Sequence, residues 1–214
     1  METIIIATLV ISTFATLSGI FVKTTRQIIC LLSFQAAVIG LFELIFCLTN
    51  LIMGLNFEAL TDFFATFAEW FSAAVISPLI IYWGMMKTEN ISDKPVVNIR
   101  RGGMVIVAIV VSNIILCIFT SSFFPAKINV LPFVALMFSI SIFISATRTD
   151  PLKILVGLNM AENALFPLFA ESPLFIIPFI LLLMIFVNLV GVFVIVEAYR
   201  DYGNISVKAW RSPE

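Results

Sequence analysis

The residues best suited to chemistry are a carboxylate and two amides inside one long apolar run. Glu162 lies in the middle of ILVGLNMAENALFPLFA, with Asn159 one turn before it and Asn163 beside it. Residues three and four apart share a helix face, so these side chains form a single polar patch. A charge at the centre of a bilayer costs about 2.5–3.5 kcal/mol on insertion scales, so we expect the patch to face protein or water rather than lipid.

Glu162 has two interpretations. In the first it holds and releases a proton or a cation, as intramembrane carboxylates do in ion pathways. In the second it is a protonated acid that only forms a hydrogen bond between helices. Glu43 and Glu69 fall within other apolar runs, in the outer half of the predicted membrane, and are further candidates. Glu197 ends the last run, where we expect it to reach the headgroup region in a structural role.

Composition defines the class of protein that holds these carboxylates. The chain has 214 residues, of which 61% are hydrophobic and 12% charged, and its mean hydropathy is +1.14. Soluble domains carry about 25% charged residues. Runs of about 20 apolar residues match the bilayer core. The sequence therefore predicts an all-α integral membrane protein, multi-pass and located in the cell (cytoplasmic) membrane.

The chain offers little for cofactor chemistry or catalysis. Histidine is absent, and Cys30, Cys47 and Cys117 are scattered without CxxC spacing. We therefore expect no metal or cofactor to be bound by this chain. No nucleotide loop or nucleophile triad is present, so neither catalysis by this chain nor nucleic-acid binding is expected.

Hydropathy and helix breakers predict about seven transmembrane helices. They are expected at about 3–22, 27–49, 62–86, 103–122, 130–147, 152–170 and 174–198. The first is interpreted as a span rather than a cleaved signal peptide, because it lacks a basic start and a small-residue cleavage motif. Pro151 is expected at the first position of the sixth helix, where its missing N–H costs nothing.

The basic residues predict an orientation. With seven spans, 11 of the 12 Lys and Arg residues fall on one side, and Lys127 alone falls on the other. Positive charge accumulates on the cytoplasmic side of membrane proteins. We therefore expect the N-terminus outside and the C-terminus in the cytoplasm. The chain divides into an N-terminal four-helix region, 1–129, and a C-terminal three-helix region with a short cytoplasmic tail, 130–214.

The C-terminal region resembles a known family. ATRTDPLKILVGLNMAENALFPLF, followed by a last span and YRDYGNISVKAW, is similar to the three-span K subunit of complex I and to the C subunit of multisubunit cation/proton antiporters. The whole seven-span pattern, with VISPLIIYWGMMKTENISD closing the third span, looks like the E component of hydrogenase-4. The chain departs from the pattern at Asn159 and near Asn188, where the family places glutamates, and at Ala73, where it places a lysine.

The resemblance implies a non-catalytic membrane-arm subunit of a group 4 membrane-bound hydrogenase or formate hydrogenlyase complex. Its partners would be antiporter-like membrane subunits and a peripheral arm that holds the [NiFe] and iron–sulfur centres. Proton or sodium translocation would use Glu162 as the central carrier and Glu43 and Glu69 as relay or gating groups. Asn159, Asn163 and Asn188 would organise water.

Two alternative functions stay open. In the first, the chain is a structural scaffold of that membrane arm; in the second, it is a stand-alone small ion transporter. The sequence shows no convincing inverted repeat, which disfavours the transporter. A scaffold would assemble and function normally with Glu162→Gln.

Overall fold

A computed structural model describes residues 2–88, 99–121, 130–169 and 176–204. Within these ranges the chain consists of helices joined by turns, without a strand. The predicted start of the last helix at Pro173, and most of the polar tail, lie outside the described residues.

The helices follow the predicted order. They are α1 (Glu2–Phe21), α2 (Thr25–Ile52), α3 (Asn56–Glu69), a π-helix (Trp70–Ile76), α4 (Ser77–Thr88), α5 (Ile99–Ser121), α6 (Leu131–Thr147), α7 (Pro151–Phe169) and α8 (Ile176–Tyr202). Because α3, the π-helix and α4 run on without a break as Asn56–Thr88, the described residues form seven continuous helical segments, in keeping with the predicted number. Pro151 begins α7, as predicted.

Four segments are long and apolar enough to cross a membrane, and two described helices are shorter apolar ones. The four are Ile4–Phe21, Thr25–Ile52, Asn56–Thr88 and Phe179–Tyr202, and the shorter two are Gly102–Ile115 and Leu131–Thr147. The four long segments suit a hydrocarbon core of about 30 Å, since a helix rises 1.5 Å per residue. The chain is therefore an all-helical protein with several apolar helices of membrane-spanning length.

The third segment begins earlier than predicted. We expected it to start near residue 62, but α3 starts at Asn56 after a turn in which Gly54 has a φ of 77°. This left-handed conformation is one that glycine adopts without strain. Asn56 and Glu58 read as loop residues in the sequence, yet an acidic residue is favourable in the first turn of a helix because of the helix dipole.

The helices of the two predicted regions pack against one another. α7 contacts α2, α6 and α8, while α6 also contacts α1. The central core joins α2, α4, α7 and α8 through fully buried side chains such as Leu32, Ile81, Leu152 and Val192. α7 therefore lies in the interior, in keeping with the polar patch predicted for it.

A group of buried charges holds α7 to the end of α1. Arg148 Nη2 donates to the carbonyl oxygens of Gly19 and Ile20 at 3.0 and 2.8 Å, and Lys153 Nζ donates to Lys23 O at 2.7 Å. Arg148 thus meets carbonyls that the last turn of a helix leaves without partners, and Lys153 meets a carbonyl of the turn that follows. The sequence placed Arg148 and Lys153 only as a basic turn on one side of the membrane, whereas the structure buries both.

Candidate functional site

Acidic side chains follow one face of α3 from its exposed start into the core. Glu58 is exposed in the first turn, Asp62 is 8% exposed, and Glu69 is fully buried. Spacings of four and seven residues put them on one face of the helix. Glu69 lies eleven residues after Glu58, which is about 16 Å along the helix at 1.5 Å per residue. α3 therefore carries carboxylates from the surface to the interior.

Glu43 of α2 is fully buried beside this face. The two helices are antiparallel: Cys47 Sγ donates to Ala59 O at 3.2 Å, and Trp70 Nε1 donates to Ala37 O at 3.0 Å. Glu43 is close enough to Asp62 and Glu69 for their charges to interact. Glu43 therefore interacts both with Asp62, near the surface, and with Glu69, in the interior.

Close packing at Gly40 sets the position of Glu43. A Cβ atom at Gly40 would collide with Trp70 Nε1, so only glycine lets the indole approach α2 this closely. Gly40 is one turn from Glu43, and Trp70 directly follows Glu69. The contact therefore joins α2 and α3 close to both buried carboxylates.

Glu162 of α7 is the last of the acidic residues that interact with one another here. It is half-buried, and its charge interacts with that of Glu69. We refer to the five acidic residues that interact in sequence from the surface to α7 as the carboxylate row: Glu58, Asp62, Glu43, Glu69 and Glu162.

Several polar atoms beside the row have no hydrogen-bond partner. Among the described residues, both carboxylate oxygens of Glu43 and of Glu69 and both amide atoms of Asn163 are buried without one. Buried polar groups are satisfied in the large majority of cases, because an unpaired one loses its bonds to water without replacement. The row is therefore a place where the fold leaves polar atoms free for water or a cation.

The other two predicted amides are bonded to each other. Asn159 Nδ2 donates to Asn188 Oδ1 at 2.8 Å, and Asn188 Nδ2 donates to Asn159 Oδ1 at 2.7 Å. Both side chains are buried. The structure thus brings Glu43, Glu69 and Glu162 together, leaves Asn163 unpartnered beside them, and pairs Asn159 with Asn188 across α7 and α8.

Sequence reasoning missed two members of the row and the π-helix. Glu58 fell before the predicted third span and Asp62 at its first residue, so neither was singled out, although their spacing to Glu69 carried the signal of a shared helix face. The π-helix Trp70–Ile76 starts directly after Glu69, and such segments often mark functional positions. Glu197 is in a surface pair with Arg200 at 2.9 Å, in keeping with the structural role expected for it.

The fold is that of an all-helical protein with helices of membrane-spanning length, and the carboxylate row runs from its surface into its interior. Among the described residues, no group of three or more His, Cys, Asp and Glu side chains is placed to hold a metal ion. Comparison with protein-family models, with curated proteins and with solved structures found no match to this chain.

Proposed function

We propose that this chain is a membrane-arm subunit of an energy-converting redox complex, most like a group 4 membrane-bound hydrogenase, and that it takes part in moving protons or sodium ions. The carboxylate row, with the unpartnered oxygens of Glu43 and Glu69, is the observation that carries the proposal. The resemblance of the C-terminal region to the K subunit of complex I supports it. Electron chemistry would belong to partner subunits that hold the [NiFe] and iron–sulfur centres.

The physical argument is the free-energy cost of burying an ionisable group. Burying a carboxylate without a partner is expensive, and ionisable residues within membrane spans are typically found in ion pathways. A row of such groups allows a proton or cation to pass from one carboxylate to the next. In this proposal Glu162, which is half-buried at the inner end of the row, exchanges the ion with water or with an adjoining antiporter-like subunit.

The proposed orientation follows from the basic residues. With the N-terminus outside and the C-terminus in the cytoplasm, the α2–α3 turn lies outside and the α6–α7 turn lies at the cytoplasmic face. The row would then begin at the outer side of the cytoplasmic membrane. Asn163, one residue from Glu162, would bind water in the pathway.

The first test is purification of the chain in a mild detergent through an affinity tag, with mass spectrometry of the proteins that accompany it. Recovery of hydrogenase and antiporter-like subunits is expected. Recovery of the chain alone, stable and monodisperse, would contradict the proposal and favour a stand-alone transporter.

The second test is Glu162→Gln in the assembled complex, reconstituted in sealed vesicles. We expect electron transfer to persist while ion uptake falls at least tenfold, because glutamine keeps the shape but cannot carry a proton or a charge. Glu197→Gln is the matched control and should pump normally, since this glutamate belongs to a surface pair. Full pumping by Glu162→Gln would indicate a scaffold.

A further inference from the structure

The two ends of the carboxylate row differ in their surroundings. At the α2–α3 end the row starts at exposed Glu58 and continues to Asp62, which is 8% exposed. Asp62 also accepts a hydrogen bond from Asn50 Nδ2 at 2.8 Å, close to the turn that joins the two helices. Carboxylates thus extend from this surface to the interior.

The row stops at the Asn159–Asn188 pair. Asn159 is three residues before Glu162, so it occupies the same helix face one turn nearer the α6–α7 turn. Each amide donates to the oxygen of the other, and Asn159 Nδ2 also donates to Leu155 O at 2.8 Å. Asn159 therefore uses its side-chain donors and oxygen within the protein rather than offering them to a passing ion.

Below this pair the protein is apolar and closely packed. Buried side chains of α4, α7 and α8 fill the space, namely Ile81, Met85, Leu152, Leu155, Val156, Val192, Ile195 and Val196. A Cβ atom at Gly84 would lie 2.5 Å from Val192 Cγ1 and 3.3 Å from Leu152 Cδ2. The described side chains of this layer are therefore apolar, and the three helices approach one another closely at Gly84.

The buried charged groups of the α6–α7 turn, beyond the layer, already have partners. Lys153 and Arg148 donate to backbone carbonyls at the end of α1 and in the turn that follows. Asp150 accepts from Thr25 Oγ1 at 2.9 Å and from Leu152 N at 2.9 Å. Lys153 is nine residues from Glu162, about 13 Å along the helix, so it cannot extend the row directly.

From these observations we infer that the carboxylate row is open to ions only from the α2–α3 end, and that the Asn159–Asn188 pair with the apolar layer beneath it closes the opposite end. The inference rests on the proposed ion pathway and adds its direction of access. An ion that reaches Glu162 leaves by the same end or passes sideways to a neighbouring subunit.

The test measures access from each side without requiring ion pumping. In a chain with Cys30→Ser, Cys47→Ser and Cys117→Ser, single reporters are introduced as Thr66→Cys beside the row, Asn163→Cys beside Glu162, and Val156→Cys in the apolar layer. The assembled complex is placed in sealed vesicles of defined orientation. Silver ion, a small thiol-reactive cation, is added on one side, and the unreacted thiol is then counted by maleimide labelling after denaturation.

We expect silver to react at Thr66→Cys and Asn163→Cys at least tenfold faster from the α2–α3 side, and at Val156→Cys from neither side. Similar rates from both sides, or faster reaction from the α6–α7 side, would overturn the inference and leave the ion pathway intact. No reaction at Thr66→Cys or Asn163→Cys from either side would overturn both, because the row would then be closed.

A second set of variants tests the closure itself. Asn159→Ala with Asn188→Ala removes the pair and opens space between the row and the apolar layer, so Val156→Cys at the top of the layer should become reactive from the α2–α3 side. Asn159→Leu with Asn188→Leu fills the same space and should keep Val156→Cys unreactive. Unchanged access in the alanine variant would overturn the role given to the pair. If that variant does not assemble, the three reporters in the unaltered background still decide the direction of access.

Discussion

The α6–α7 turn and the carboxylate row both bury charged groups, but they treat them in opposite ways. At the turn, Arg148 and Lys153 donate to backbone carbonyls, and Asp150 accepts from Thr25 and from the backbone of Leu152. In the row, Glu43 and Glu69 are equally buried, yet their oxygens have no partner among the described residues.

The charges of the turn and those of the row therefore contribute differently to the stability of the protein. Bonded charges repay their loss of hydration through fixed hydrogen bonds and thereby hold helices in place. Unbonded carboxylates make no such contribution, and this observation is the basis of the proposed ion pathway. This contrast predicts that substitutions at the turn change stability most, while substitutions in the row change ion movement most.

The largest loss of stability is expected for Arg148→Met. It leaves the carbonyls of Gly19 and Ile20 without their charged donor, and each hydrogen bond to a charged group contributes about 1.5–3 kcal/mol. Reversible unfolding in mixed detergent micelles measures the free energy of unfolding. Arg200→Met, which breaks only the surface pair with Glu197, should cost less than about 1 kcal/mol. Equal losses would contradict the structural role of the turn.

Gly40→Ala should cost about 1–3 kcal/mol, the usual range for overpacking, because the new methyl group would collide with Trp70. Gly103→Ala is the matched control, since no heavy atom lies within 4 Å of a Cβ built there. If the control loses as much stability, the effect does not come from the contact that positions Glu43.

Asn159→Leu should cost about 1–3 kcal/mol, because it leaves the buried Asn188 amide without its partner. The double variant with Asn188→Leu should lose less than the sum of the single changes, since no unpaired amide is left. A double-mutant cycle on unfolding free energies measures this coupling. Strict additivity would mean that the two amides do not bond each other in the membrane.

Glu69→Gln should have the smallest effect on stability, below about 1 kcal/mol, because no hydrogen bond to the carboxylate is lost. Ion uptake by the assembled complex should nevertheless fall at least tenfold. Unfolding and uptake measured on the same preparation separate the two effects. A loss above about 2 kcal/mol with normal uptake would place Glu69 with the structural charges of the turn.

The sequence predicted much of the fold because apolar runs and prolines are local signals. Seven helical segments and the start of α7 at Pro151 follow from run length and from the fixed φ of proline. The shared face of Asn159, Glu162 and Asn163 follows from helix geometry alone. The early start of α3 was missed because acidic and amide residues suit both loops and first helical turns.

The arrangement of the row could not be predicted, because it depends on contacts between helices. Nothing local to Glu43 indicates that it lies between Asp62 and Glu69, since that follows from the antiparallel packing of α2 and α3 around Gly40 and Trp70. Likewise, Arg148 and Lys153 look like ordinary loop cations until α1 is placed beside them.

By itself, the sequence determined that this chain is helical and apolar and that its interior carries carboxylates, because composition and helical periodicity depend only on the order of residues. The tertiary structure decided which polar groups found partners. Asn159 and Asn188 are 29 residues apart in the chain and Arg148 is 129 residues from Gly19, so only helix packing could pair them. The same packing left Glu43 and Glu69 without partners.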